Sequence, residues 1–448
     1  MHDWAKGFVL SAVVVAGAAA PARAQPRYSI VELSGVPAAL NDNGEIAGWV
    51  YVGADAHAAV YRGGAWQDLG VPAGDQLSAL FGINSQGAAA GYSFLATSLP
   101  AYPFSDNRWQ AIWAPAGASA VQALSVLAPD SFNYGINDSN AIVGCRNRYD
   151  DEYPDPYRAY LYANGIVTDL HGLLFPPLAQ TRYDLSCALD INNAGDVVGE
   201  VDPDIGDKRG FLFRNGAVTR LVGGTSYVRT AKAINDTGRI VGEGWMSGFT
   251  AHHAVVYESD TGTISTLGVE STGVSNSRPN DVNAAGDVVG TMFSPVFGDH
   301  AFLVKGGQVF DLNDLIPADS GWVLQEAQSI NARGQIVGRG YLTPSPGVTR
   351  YFLLDAVTPR EAIDGLTADV MELQASGEIS NGTATSLIAK LDAAAKDLDK
   401  GNLSGAVGSL ESFVSHVDTY IRTGKIDETA GQALIDDANR VIGDLLTS

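Results

Sequence analysis

The sequence predicts a mainly β fold: a seven-bladed β-propeller of four-stranded blades, followed by a small all-α helical bundle. Three observations carry this expectation. A pattern, clearest at Ala233-Ile234-Asn235-Asp236-Thr237-Gly238-Arg239-Ile240-Val241-Gly242, recurs seven times. Successive motif asparagines are 43, 53, 55, 43, 48 and 48 residues apart, in and somewhat above the spacing of four-stranded propeller blades. Beyond about residue 355 the tight-turn signals stop and apolar residues adopt helical spacing.

The N-terminus reads as a secretory leader over residues 1–24. Lys6 precedes an apolar stretch from Phe8 to Ala20 that is too short to span a bilayer, and Ala22-Arg23-Ala24 fits the small-x-small cleavage rule. Cleavage before Gln25 is expected. The mature chain would then be secreted or periplasmic in a bacterium, with no membrane insertion once the leader is removed.

Residues 25–355 form the predicted propeller. Each copy of the motif begins with an apolar residue and Asn, has Gly three residues after the Asn in all copies but the third, and ends with a short apolar run and a second Gly. Asn can open a type I turn because its side chain bonds to the backbone two residues on, and the Gly takes a left-handed conformation to start the return strand. The turn pairs are Asn41 and Gly44, Asn84 and Gly87, Asn137 and Asn140, Asn192 and Gly195, Asn235 and Gly238, Asn283 and Gly286, and Asn331 and Gly334. Asn140 is informative, because Asn is the residue after Gly that best tolerates positive φ. A backbone requirement predicts that replacement; a catalytic one does not. Two residues before each Asn stand Ala39, Gly82, Gly135, Asp190, Ala233, Asp281 and Ser329, all small or short. First strands crowded around an axis require that.

The second half of each repeat opens with a hydrogen-bonding residue and apolar residues, as in His57-Ala58-Ala59-Val60, Arg209-Gly210-Phe211-Leu212 and His300-Ala301-Phe302-Leu303. Asn-Gly or Gly-Gly pairs often follow and signal a tight hairpin. Over roughly residues 28–355 the paired segments resemble the HAF family of bacterial extracellular repeats. That resemblance implies secretion and a repetitive β architecture, and it carries no catalytic residues across.

Radial stacking covers both apolar faces of every blade and leaves only short edges. Closure has a candidate too. Tyr28-Ser29-Ile30-Val31-Glu32-Leu33 reads as a fourth strand ahead of the first copy, and the seventh copy ends near Asp355 without one. The N-terminal strand is expected to complete the last blade.

Residues 356–448 form the predicted bundle. Thr358-Pro359-Arg360-Glu361 is a capping box with Pro at the first helical position. Four apolar stripes follow, interrupted by Gly377, Gly401 and Gly424, and Asp427 caps the last. Here the chain resembles the FIMAH-type C-terminal domain of bacterial extracellular proteins, on the segments Leu410 to Lys425 and Gln432 to Leu446. The resemblance implies an accessory module.

Function is less legible. With 28 basic and 50 acidic residues the chain carries a net charge of −22, a field that repels nucleic acid. No cofactor is expected. The acidic clusters that could take Ca²⁺ are Asp150 and Asp151 in one loop and Asp202, Asp204 and Asp207 in another; neither has EF-hand spacing. Cys145 and Cys187 belong to adjacent repeats, so an oxidising compartment allows one disulfide, with two separate buried thiols as the alternative. His57, His253 and His300 share one repeat slot with Gln110, Arg158, Arg209 and Arg350. Arg is no ordinary metal ligand, so the slot reads as a structural hydrogen-bond donor. No nucleophile or phosphate-loop motif stands out. The favoured reading is a monomeric, non-catalytic binding or scaffold protein. Its variable loops would face an extracellular glycan or protein, with Tyr92, Phe94, Tyr102, Phe104 and Trp109 gathered at one of them. The alternative is an extracellular carboxylate-dependent hydrolase or lyase acting on a polysaccharide at the propeller mouth.

Overall fold

In the computed structural model the chain is described from residue 27 to residue 447, except residues 97–106, 128–129, 147–148, 151–152, 155–156, 176–183, 204–207, 249–250 and 297. The expected leader lies outside the described residues, as do Tyr102, Phe104, Asp151, Asp204 and Asp207. The chain forms two compact units, Arg27–Ala356 and Val357–Ser448.

The first unit is a seven-bladed propeller. Each blade is an antiparallel meander whose innermost strand comes first. In the first blade the strands are Val36–Leu40, Ile46–Val52, Asp55–Arg62 and Ala65–Asp68. The other inner strands are Leu77–Ile83, Ser131–Ile136, Leu185–Ile191, Ser226–Ile234, Asn276–Val282 and Trp322–Ile330. Tyr28–Leu33 is the outer strand of the seventh blade, paired antiparallel with Arg350–Ala356 from Tyr28 opposite Ala356 to Leu33 opposite Tyr351. It is held there by Tyr28, buried in the core of that blade, and by an ion pair of 2.5 Å between Glu32 and Arg350. Four strands per blade holds with one addition. Val222–Gly223 adds a fifth, short strand to the inner edge of the fifth blade, because the chain doubles back at Gly224, where φ is +63°.

The motif turns all lie on one face of the ring. In each, the Gly or Asn three residues after the motif Asn has positive φ, from 56° at Asn140 to 85° at Gly286. The motif Asn side chain also bonds in two directions. Its Oδ1 accepts backbone N–H within the turn, as at Asn235 from Thr237 and Arg239 (3.1 and 3.0 Å). Its Nδ2 donates to the backbone carbonyl of the next motif Asn, from Asn41 through Asn84, Asn137, Asn192, Asn235 and Asn283 to Asn331, at 2.9–3.1 Å. Asn331 then donates to the carbonyl of Asn41 at 3.0 Å, and the ring of bonds is closed. A buried amide left without these partners would cost about 1–3 kcal/mol, which explains why the position is Asn in every copy.

The blades pack through small residues. Ala58, Ala111, Ala159, Ala254 and Ala301 are buried on third strands. Gly210 fills the same slot, where a Cβ would meet Val228 of the next inner strand at 3.1 Å. The hydrogen-bonding slot just before them pairs with the neighbouring strand: His57 Nδ1 lies 3.1 Å from Asp68, and His300 Nδ1 lies 2.5 Å from Asp311. Cys145 and Cys187 form a disulfide between the second strand of the third blade and the inner strand of the fourth.

The second unit consists of four helices, Pro359–Ala375, Asn381–Asp399, Leu403–Arg422 and Glu428–Thr447. The capping box is formed, with Thr358 N donating to Glu361 Oε2 at 2.9 Å and Glu361 N to Thr358 Oγ1 at 3.2 Å. Ser380 and Asn402 cap the second and third helices. Ile363, Leu366, Leu387, Leu391, Leu410, Phe413, Leu434 and Val441 meet in one buried core. Among the described residues no helix is long and apolar enough to cross a membrane.

Candidate functional site

The second Gly of the motif determines what the opposite face presents. It follows the Asn by seven residues, and in every blade it lies against the carbonyl of the inner strand. A Cβ would fall 1.8–2.0 Å from that oxygen at Gly48, Gly91, Gly144, Gly199, Gly242, Gly290 and Gly338. The close approach is imposed by a β-bulge. Each inner strand carries an extra residue three positions before the motif Asn, between Pro37 and Ala39 in the first blade and between Ala327 and Ser329 in the last; the fifth and seventh carry a second one, at Arg229 and Gln325. A bulge disrupts the ladder locally and re-aims a side chain. The seven bulge residues, Ala38, Phe81, Tyr134, Leu189, Lys232, Asn280 and Gln328, all line one cavity of about 250 Å³ at the axis.

Two further positions lie beside each bulge: the residue five before the Asn, and the residue directly after the second Gly. With the bulges they divide the face in two. The first three blades present Val36, Ala38 and Trp49; Ala79, Phe81 and Tyr92; Phe132, Tyr134 and Cys145. Their rings form a continuous cluster. Phe81 stacks on Tyr92 with centroids 4.5 Å apart and planes 13° apart, and Trp49 lies 5.9 Å from Phe81. Trp109 lies 5.2 Å from Tyr92 and 5.0 Å from Phe94, and Tyr157 lies 5.5 Å from Phe132. Burial raises the phenol pKa of Tyr92 and Tyr134, so both stay neutral donors at any ordinary pH. Several of these rings, Trp49, Phe81, Tyr92 and Tyr134 among them, are only half-buried.

The last three blades present Thr230, Lys232 and Glu243; Arg278, Asn280 and Thr291; Glu326, Gln328 and Arg339. All of these except Gln328, which lines only the axial cavity, line a second cleft of about 530 Å³, which shares Lys232 and Asn280 with the axial cavity. The fourth blade, with Cys187, Leu189 and Glu200, makes the transition, and the disulfide joins it to the aromatic half.

Two acids lie just inside the axial cavity. Asp190 accepts from Ile234 N of the next blade at 2.8 Å and from Ile191 N at 2.8 Å. Asp281 accepts from Ile330 N at 3.0 Å and Ser329 Oγ at 2.6 Å. Burial pushes the pKa of Asp190 up to about 7 against those hydrogen bonds, and Asp281 is raised for the same reason. Their oxygens are engaged in tying blades together.

Residues 363–443 match the FIMAH domain. Residues 76–221 match a family described as a protein of unknown function, DUF3466, and this stretch spans the second, third and fourth blades. No curated protein matches the sequence. Among solved structures the chain is similar to the β-propeller domain of the trilobed protease from Pyrococcus furiosus, at 8% identity over 73% of this chain and 93% of that one, with a TM-score of 0.46. It is also similar to acylaminoacyl peptidase from Pyrococcus horikoshii, at 12% identity over 73% of this chain and 51% of that one, TM-score 0.44. A second form of that peptidase aligns at 10% identity over 62% of this chain and 44% of that one, TM-score 0.42. The chain thus spans about half the length of these peptidases, and what it shares with them is the propeller fold.

The sequence candidates are distributed unevenly with respect to this face. Tyr92, Phe94 and Trp109 are in the aromatic cluster. Of the acidic clusters, Asp150 ends a two-residue strand and Asp202 is buried at the end of the second strand of the fourth blade. Among the described residues no group of three or more His, Cys, Asp or Glu side chains is placed to hold a metal ion. The turn asparagines face the opposite end of the ring, around a separate axial cavity of about 220 Å³. Sequence reading did not single out the bulge residues. The signal was available, since aligning the copies on their asparagines leaves the position three before it as Ala, Phe, Tyr, Leu, Lys, Asn and Gln.

Proposed function

We propose that this is a secreted, non-catalytic binding protein of the HAF-repeat type, and that it holds an extracellular glycan on the bulge face of the propeller. The observation that carries the reading is the half-buried aromatic cluster of the first three blades, running outward from the axial cavity. Aromatic faces offer large rigid area to the apolar side of a sugar ring, while Tyr hydroxyls and neighbouring amides hydrogen-bond its edge. The non-catalytic part of the reading is supported by the two elevated carboxylates, Asp190 and Asp281, which accept backbone donors between blades. The leader and the disulfide both fit an oxidising, exported location. The helical unit would serve as an accessory module.

The test is a glycan array probed with the mature chain and with Phe81→Ala and Tyr134→Ala, followed by turnover assays on every hit. Binding that weakens at least about tenfold in either variant, with no product formed, supports the reading. Binding untouched by both substitutions removes the face from consideration, and turnover would make the protein an enzyme.

A further inference from the structure

The glycan reading leaves the polar half of the face unexplained, and its charges are unusual for this chain. The protein as a whole carries −22. Around the cleft of the last three blades the acidic excess disappears. Lys232, Arg278 and Arg339 line it, and Arg229 reaches Glu243 at 3.5 Å from the side. Three carboxylates, Glu243, Asp299 and Glu326, line it as well, so the lining is balanced and Arg229 adds a cation from outside it.

The pairing inside the cleft draws the arginines onto Glu243 and Glu326 and leaves Lys232 apart from them. Glu243 is shared by three partners: Arg278 at 3.4 Å, Arg229 at 3.5 Å and His252 at 3.5 Å. Arg339 pairs with Glu326 at 2.6 Å, and both retain exposure. Lys232 is exposed and is within hydrogen-bond or ion-pair distance of no carboxylate among the described residues; Asp190 and Asp281 feel it only through space. With Asn280, Lys232 is one of two bulge residues common to both cavities, so it stands between the axial cavity and the polar cleft. The Arg278 guanidinium lies over the Phe293 ring at 5.2 Å, a contact that orients it without consuming its N–H donors. Exposed charges farther away than about 8 Å are screened at physiological ionic strength, so the acidic surface elsewhere does not cancel this local field.

We infer that the cleft receives a carboxylate of the bound saccharide, so that the ligand is an acidic glycan: neutral ring faces lie on Phe81 and Tyr134, and a uronate carboxylate lies among Lys232, Arg278 and Arg339. Planar guanidinium groups suit a carboxylate because two parallel N–H donors match its two oxygens. This rests on the glycan reading and adds the sign of the ligand's charge to it.

The experiment compares a galacturonic acid trisaccharide with its methyl ester by isothermal titration calorimetry on the full mature chain. The acid should bind at least about tenfold more tightly than the ester. Arg278→Gln combined with Arg339→Gln should bring the acid down to the affinity of the ester and leave the ester unchanged. Phe81→Ala should weaken both ligands by the same factor. Both arginines are more than half exposed (55% and 52%), and thermal melting of the double variant verifies that the fold is kept. Equal affinity for acid and ester, or an acid affinity indifferent to the double substitution, overturns the charge assignment. Binding of neutral glycans alone, dependent on Phe81, overturns it too and leaves the face reading standing. If no glycan binds, acidic or neutral, both fall.

Discussion

Replacing Asn331 by Asp tests the asparagine ring at its closing link. The side chain is 2% exposed. Its Nδ2 donates to the Asn41 carbonyl at 3.0 Å and to Gln335 Oε1 at 2.8 Å, while Oδ1 accepts from Arg333 N at 3.1 Å and Gln335 N at 3.0 Å. Asp keeps the shape and the accepting oxygen. It replaces the two donors with a charged oxygen that faces two other oxygens. One inter-blade hydrogen bond is lost, an acceptor is left short, and a carboxylate is buried. Together these should cost about 2–4 kcal/mol at neutral pH. At on the order of 2 °C per kcal/mol for a domain of this size, the thermal midpoint should fall by about 4–8 °C. The deficit should also depend on pH. Burial and the facing oxygens raise the folded pKa of the new carboxyl above its unfolded value. The stabilising contribution of its protonated form is therefore complete below about pH 4 and lost as pH rises through the folded pKa. Protonated, the group can donate to Asn41 again, so moving from pH 7.5 to pH 5 should recover part of the loss. Calorimetric melts at both pH values, with Asn137→Asp as an internal comparison, decide the matter. A closed ring predicts similar losses at the two positions. A deficit that ignores pH, or a loss at Asn137 without one at Asn331, refutes the reasoning.

Three other outcomes are expected. Deleting residues 28–33 should lower the propeller's melting temperature far more than trimming an ordinary tail, since it exposes the edge Arg350–Ala356 and uncovers a buried core; a melt within about 2 °C of the full chain would contradict the closure. Gly242→Ala should destabilise by about 1–3 kcal/mol or more, because its Cβ falls 2.0 Å from the Thr230 carbonyl, whereas Asn140→Gly should be neutral or mildly stabilising; urea titration compares them. Asp190 has a folded pKa raised to about 7, so its favourable protonated contribution is lost as pH climbs from about 4 to 7; the stability difference between Asp190→Asn and the parent should shift toward the variant by up to about 1.4 kcal/mol per pH unit, and a flat difference would show that the group titrates normally.

Periodicity made the ring legible. The turn chemistry of Asn235 and Gly238 and the spare strand pattern at Tyr28 to Leu33 can be read without coordinates, because each depends on local backbone rules and a count of strands. The second use of the asparagine could not be read the same way. Its Nδ2 reaches a carbonyl 43–55 residues onward in the six links from the first copy to the seventh, and nothing local announces that acceptor. The bulge was hidden for a related reason. Hydrophobic alternation reports which side chains are buried, and the inner strand is crowded on every side, so one extra residue leaves no gap in the pattern. The close of the motif did carry a hint, since a Gly at Gly48 and its six counterparts marks an approach that a Cβ forbids. The fifth-blade addition at Val222–Gly223 had no repeat to announce it.

The bulges separate two demands that usually compete within one strand. Turn, second glycine and asparagine ring are met by backbone and by residues that do not vary in kind, so the side chain at the bulge is released from any duty to the frame. Seven such positions, each flanked by two more, amount to an alphabet written on a fixed grid. A repeat that is duplicated brings a blank column with it, and single substitutions can then fill that column with a ring, an amide or a charge while the scaffold stays as it was. The face of such a molecule can be rewritten one letter at a time, from rigid strands, without remodelling a loop.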